Sequence, residues 1–275
     1  MTEYNRHRQR RPLFPLYIGF ILLVIYIPIL LVIVYSFNES RLTSVWGGFS
    51  LAWYAELFQD TAIFEGLRTS LILGLLSSCL AAALGTLGAS GMARVRAVAA
   101  SKPITAAGGF HRAMESLSVL PIMMPEIIMG IIFLAFFTLL SIPPGMFTLV
   151  IAHTAFCIPY PYLLVKARLA GLDKSYVEAA RIMGASDMRA FYDITLPLVL
   201  PAVISGMLIS FAMSFDDVIV SSFVAGVNTN TLPMIIYSRL RTGITPKINA
   251  MCTLLFVLTV ILCFLAAKLS GSRKE

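Results

Sequence analysis

EAARIMGASDMRAFYDITLP, Glu178 to Pro197, decides how the rest of the chain is read. It reads as two short helices joined by a bend. Ser175 and Glu178 stand in capping-box spacing, which predicts a helix start there. Gly184 suits the left-handed conformation that ends a helix. Ser186 is a natural cap for a second helix, with Asp187 favourable in its first turn. Pro197 either closes that helix or opens the next span. Tyr176, Val177, Ala179, Ala180, Ile182 and Met183 leave only Glu178 and Arg181 polar on the first helix. Met188, Phe191, Tyr192 and Thr195 form a second face at helical spacing. An exposed apolar helix pair marks a protein or membrane interface. The small alanines beside Glu178 would let the helix lie close in a groove on a partner; a helix lying on lipid is the plainer alternative.

The totals place this stretch in an integral membrane protein. Of 275 residues, 58% are hydrophobic and 13% charged, with mean hydropathy +0.86. The net charge of +7 does not point to nucleic acid, because most basic residues sit at the ends of apolar spans. Cys79, Cys157, Cys252 and Cys263 all fall inside apolar spans and read as small buried residues, with no disulfide framework and no metal spacing. There is no Walker A pattern. Nucleophile, base and orienting group do not converge, so no catalytic residue and no metal site is predicted.

The pattern predicts six transmembrane helices, over about Leu13–Phe37, Leu67–Met92, Glu115–Leu140, Met146–Val165, Leu198–Val220 and Ile248–Leu269. A basic arm, residues 1–12, precedes the six-span domain of residues 13–269. The first run is too long for a signal peptide and lacks a small-residue cleavage site. A short tail, 270–275, follows the domain. Of 21 lysines and arginines, only Arg41, Arg68, Arg239, Arg241 and Lys247 fall outside the segments assigned to the cytoplasm. That asymmetry puts both termini, and the loop 166–197, inside the cell. Leu51–Phe58 reads as a short helix at the outer membrane face. Gly74, Gly85, Gly88 and Gly91 give the second span a small face for close packing.

Charge inside the spans is rare. Glu126 follows Pro125 about ten residues into its span, and an intramembrane carboxylate is by default a functional-site candidate. Asp216 and Asp217 lie near the outer end of the fifth span. Together the three suggest an acidic track for a cation; a salt bridge to Arg239 or Arg241, or a helix cap, is the structural alternative for the aspartates. Trp46, Trp53, Tyr54 and Tyr160 could add cation–π contacts, or form an interfacial belt and packing. His153, alone on an apolar span, reads as packed and hydrogen-bonded.

Glu178, Ala179, Ala180, Gly184, Ile194, Leu196 and Pro197 stand at the spacing of the EAA motif, and the segment resembles the EAA loop of ATP-binding-cassette (ABC) importer permeases. That resemblance implies an all-α, type I ABC importer (MetI-like) permease fold in a bacterial cytoplasmic (inner) membrane. It implies that the loop is a coupling helix that docks into a separate ATPase subunit. The implied partners are two ATPase subunits carrying ATP and Mg, a second permease as heterodimer partner and an external substrate-binding protein; this chain itself would hold no cofactor. The runs SFDDVIVSSFVAG from Ser214, LPMIIYSRLRTGITPKINA from Leu232, PIMMPEIIMGI from Pro121 and YIPILLVIVYSFNES from Tyr26 are similar to the C-type subunit of spermidine/putrescine permeases. In that subfamily, residues matching Glu126, Asp216, Asp217 and Trp46 are implicated in polyamine passage; Ser214 and Tyr160 join them here as path candidates. Glu126 departs from the aspartate often found there. An importer of iron, an opine or a phosphonate, and a stand-alone secondary transporter, stay open as alternatives.

Overall fold

A computed structural model describes residues 13–41, 45–99, 107–173 and 175–271. The basic arm of residues 1–12 and the tail beyond residue 271 lie outside them. α1 (Leu13–Tyr35) is apolar and exposed along most of its length. After it, Asn38 and Phe49 form an isolated antiparallel bridge, and the Trp53 indole N–H donates to Asn38 O at 2.7 Å. α2 (Ala52–Phe58) is the short helix expected there. α3 (Thr61–Ala99) is the longest helix, at 39 residues.

The expected third span does not run straight. α4 (Ala107–Met123) and α5 (Glu126–Leu139) meet at a bend of 110°. Pro125 sits in the break in extended backbone, at ψ 132. Its missing N–H and its steric push on Met124 remove the α conformation there. A depth for Glu126 counted along one straight helix therefore does not carry over. α6 (Met146–Cys157) and α7 (Pro159–Ala170) join into a 25-residue apolar helix, as the fourth span predicts.

α8 (Ser175–Ile182) and α9 (Asp187–Ala190) are the two helices of the elbow. A π turn over Phe191–Thr195 then leads without interruption into α10 (Leu196–Asp216). The run Asp187–Asp216 is thus one helix of 30 residues, and Pro197 neither ends nor begins it. The turn before the proline widens, so that Leu196 N–H reaches Phe191 O, five residues back. The expected end of this span at Val220 is also corrected: Asp217 is extended, at ψ 130, and a separate short helix α11 (Ile219–Val224) follows. α12 (Leu232–Thr242) and α13 (Pro246–Gly271) complete the order. Among the described residues four helices are long and apolar enough to span a membrane, five if the bent pair is one span. Of the sixth expected span, Pro246–Ile261 is described as a shorter apolar helix.

The chain divides into two compact units, residues 1–61 with 238–275, and residues 62–237. In the first, α13 packs on both α1 and α2. An ion network fastens it: Arg239 grips Asp60 with two bonds of 2.8 and 3.1 Å, and Lys247 bridges Asp60 at 2.8 Å and Glu56 at 3.1 Å. The second unit has its core where Leu73, Phe137, Leu149, Phe156, Val220 and Val224 meet. Helix approach there is set by glycine. An added Cβ at Gly206 would lie 2.4 Å from Pro161 Cα, and one at Gly85 would lie 2.9 Å from Tyr162 N. Pro161 of α7 is therefore clasped by α3 and α10, the small-residue packing expected for bilayer helices. The predicted close-packing face of α3 is realised at Gly74 and Gly85, whereas Gly91 faces open space.

Two stability predictions arise. Gly206→Val should cost ~1–3 kcal/mol by overpacking and lower the melting temperature of the assembled protein, whereas Gly91→Ala should leave it unchanged or raise it slightly. Differential scanning of the two variants checks this. The Arg239 guanidinium, chiefly, and Lys247 hold the Asp60 carboxyl well below its usual range. A depressed carboxyl contributes stability above its unfolded pKa, ~3.9, and loses it as pH falls further. The melting-temperature gap between wild type and Asp60→Asn should accordingly be full at pH 6 and shrink steadily below pH ~4.

Candidate functional site

Two places gather the predicted residues. The first is the elbow. The Asp173 carboxylate accepts from Ser175 N–H at 2.9 Å and opens α8; that bond holds the acid below its usual pKa range. α8 closes in a Schellman turn. Ala185 N–H reaches Ala180 O at 2.9 Å, Gly184 N–H reaches Arg181 O at 3.0 Å, and Gly184 has φ +84. Ser186 Oγ then accepts from Arg189 N–H at 3.3 Å and caps α9. The Gly184 bend and the Ser186 cap read from the sequence are present; at the start of the first helix the bond shown is to Asp173 rather than one between Ser175 and Glu178.

The bend turns an apolar surface outward. Ile182 is 87% exposed and Met183 81%, and Tyr176, Met188 and Tyr192 are exposed as well. Ala180 and Ala190 are buried between the helices. Arg181 pairs with Asp187 at 2.9 Å across the bend, and Arg189 with Asp193 at 3.2 Å. Glu178 and Ala179 lie exposed on α8. Ala180, Met183, Gly184, Ala190 and Ile194 line a hollow of about 300 Å³ on the elbow. Leu196 and Pro197 stand at the start of α10, two residues beyond that hollow's Ile194. Such an area of exposed apolar side chain marks a candidate protein or membrane interface.

The second place is an acidic cavity of about 540 Å³ within the second unit, lined by Glu126, Asp216, Asp217 and the residues between α10 and α11. Glu126 occupies the first turn of α5, where the helix dipole favours its charge. It also lines a smaller hollow of about 150 Å³ with Tyr160, Phe156, Met213 and Asp217. The structure therefore brings Glu126, Asp216, Asp217 and Tyr160 together. Trp46 belongs to the first unit, where its ring meets Tyr35 edge to face at 6.3 Å. Arg239, a suggested partner for the aspartates, is instead paired with Asp60.

Ser214 does not line the cavity; it is 2% exposed and belongs to a buried polar chain. Ser77 Oγ lies 2.9 Å from Ser214 Oγ, which lies 2.8 Å from His153 Nδ1. His153 Nε2 is 3.0 Å from Ser221 Oγ and 3.5 Å from Asp217 Oδ2. A packed, hydrogen-bonded histidine is what the sequence suggests at this position. Its partners were not legible, being 61 and 68 residues away along the chain.

Comparison with known proteins fits this geometry. The model of the family described as binding-protein-dependent transport system inner membrane component matches residues 105–273. The putrescine transport system permease protein PotI of Escherichia coli (strain K12) is 37% identical over 257 residues, covering 91% of this chain and 87% of that protein. The spermidine/putrescine transport system permease protein PotC of Haemophilus influenzae is also 37% identical, over 242 residues, covering 88% and 90%. Among solved structures, a bacterial ABC transporter involved in the import of the acidic polysaccharide alginate superposes with TM-score 0.69 at 15% identity, covering 92% of this chain and 94% of that one. The inward-facing MetNI methionine ABC transporter gives 0.59 at 18% identity, covering 82% and 100%.

Proposed function

The chain belongs to the family of binding-protein-dependent transport system inner membrane components, and on that premise we propose that it is the non-catalytic permease of an ATP-driven importer of small polyamine-class cations. The observation that carries the reading is the exposed apolar elbow at one end of the helix Asp187–Asp216, whose other end borders the acidic cavity. The elbow takes mechanical work from an ATPase subunit that holds ATP and Mg. Two such subunits, a second permease and an external binding protein complete the assembly, with both termini of this chain on the cytoplasmic side. Closure of the ATPases moves the elbow, and the permease halves rock to alternate access.

The cationic cargo rests on charge. Glu126, Asp216 and Asp217 border one cavity, and among the described residues no lysine or arginine lines it. An anionic solute would meet the Glu126 and Asp216 carboxylates there, which disfavours a phosphonate. The relatives named for putrescine and spermidine fit the same sign of charge. Tyr160 and Trp46 are path residues under this reading, Tyr160 from the cavity wall and Trp46 from the first unit.

Gly184→Pro tests the reading. Proline fixes φ near −65°, about 150° from what this turn requires. In proteoliposomes holding the complete transporter, stimulation of ATP hydrolysis by loaded binding protein should fall about tenfold, from ~1–3 kcal/mol of misplaced backbone. Labelled putrescine uptake should fall with it while the complex stays assembled. Stimulation and uptake at wild-type level would remove the elbow from the mechanism.

A further inference from the structure

Asp216 and Asp217 are neighbours in sequence and opposites in environment. Asp216 is the last residue of α10, exposed, and makes no hydrogen bond or ion pair among the described residues. Asp217 is 8% exposed, and both its oxygens are occupied. Oδ1 accepts from Val220 N–H at 3.1 Å and Oδ2 from Ser221 N–H at 2.7 Å. Those are the free donors of the first turn of α11, which a carboxylate at this position satisfies.

His153 holds the same corner from the other side. It is fully buried on α6 and bridges Ser214, near the end of α10, to Ser221 in α11. Asp217 Oδ2 stands 3.5 Å from Nε2, beside the closer Ser221 hydroxyl. Nδ1 lies 2.8 Å from the Ser214 hydroxyl, which lies 2.9 Å from that of Ser77. Thr148 Oγ1 donates to Val224 O at 2.8 Å and ties down the far end of α11. Among the described residues the Ser214, Asp217 and Ser221 side chains at this break are engaged, and the Asp216 carboxylate is not.

We propose that the two aspartates divide the work: Asp217, held by the cap and by His153, is a positioning residue that fixes the break between α10 and α11, and Asp216, with Glu126, supplies the charge that a cationic cargo touches. The division deepens the polyamine reading and rests on it for the nature of the cargo. It separates two residues that pattern alone treats as one site.

The test uses the complete transporter in proteoliposomes, with labelled putrescine, and the same complex in detergent for thermal unfolding. Asp216→Asn should raise the uptake KM about tenfold with unchanged maximal rate and melting temperature. Asp217→Asn keeps an acceptor for the cap and loses the charge; its KM should stay within about twofold of wild type. Asp217→Ala should lower the melting temperature by ~2–6 °C, and His153→Phe likewise. Combining those two should lower it by less than the sum, because they act on one corner. An equal rise in KM for Asp216→Asn and Asp217→Asn, with neither melting temperature changed, would overturn the division. Equal melting temperatures for Asp216→Ala and Asp217→Ala would do the same. If the wild-type complex takes up no putrescine, the cargo reading fails, and the melting temperatures still decide between the two roles.

Discussion

One continuous helix joins the two candidate sites. The helix Asp187–Asp216 starts at the elbow and stops at the acidic cavity. Thirty residues at ~1.5 Å each give a rod of ~45 Å. A displacement at Asp187 therefore reaches Asp216 through a stiff element rather than through a chain of side-chain contacts. A π turn at Phe191–Thr195 precedes Pro197, and Pro201, which also lacks an N–H, lies one turn further along the same helix. The Arg94 guanidinium donates to Asp187 O at 2.9 Å and Arg168 to Leu198 O at 3.2 Å, so α3 and α7 hold the rod near its start.

At the other end the backbone leaves the helix, which hydrocarbon does not tolerate unless each freed group finds a partner. At each break some of those groups are met. At Pro125 no N–H exists to be satisfied, and its carbonyl accepts from Ile128 at 2.9 Å and Met129 at 3.2 Å. At Asp217 the carboxylate satisfies the first turn of α11. The two short helices that follow the breaks, α5 and α11, pack on one another, with the Phe223 ring seated over Gly130. Irregular backbone is thereby concentrated where carboxylates border a cavity, an arrangement that broken helices share at transport sites.

The sequence is most legible where the determinants are local. The Gly184 turn, the Ser186 cap and the apolar elbow surface follow from residues within about four positions of one another. Fold class follows from hydropathy, and the all-α architecture and the resemblance to ABC importer permeases both hold. What pattern could not give was the geometry of the breaks. Pro125 signals an interruption but not a turn of 110°. Asp216-Asp217 looks like one acidic point on a longer span, because nothing nearby states that the second carboxylate folds onto Val220 and Ser221. Pattern groups Ser214 with the path, whereas its hydroxyl is taken up by His153 and Ser77, brought there by tertiary packing.

The elbow is the point at which all of this either connects to a source of energy or does not. A photoreactive side chain placed at Met183, irradiated in the complete transporter, reports what covers that surface most directly. A coupling elbow should give a covalent adduct between this chain and the ATP-binding subunit, reduced by Ile182→Asp. Adducts to phospholipid alone, or labelling at Met183 by an impermeant reagent added outside the cell, would contradict it.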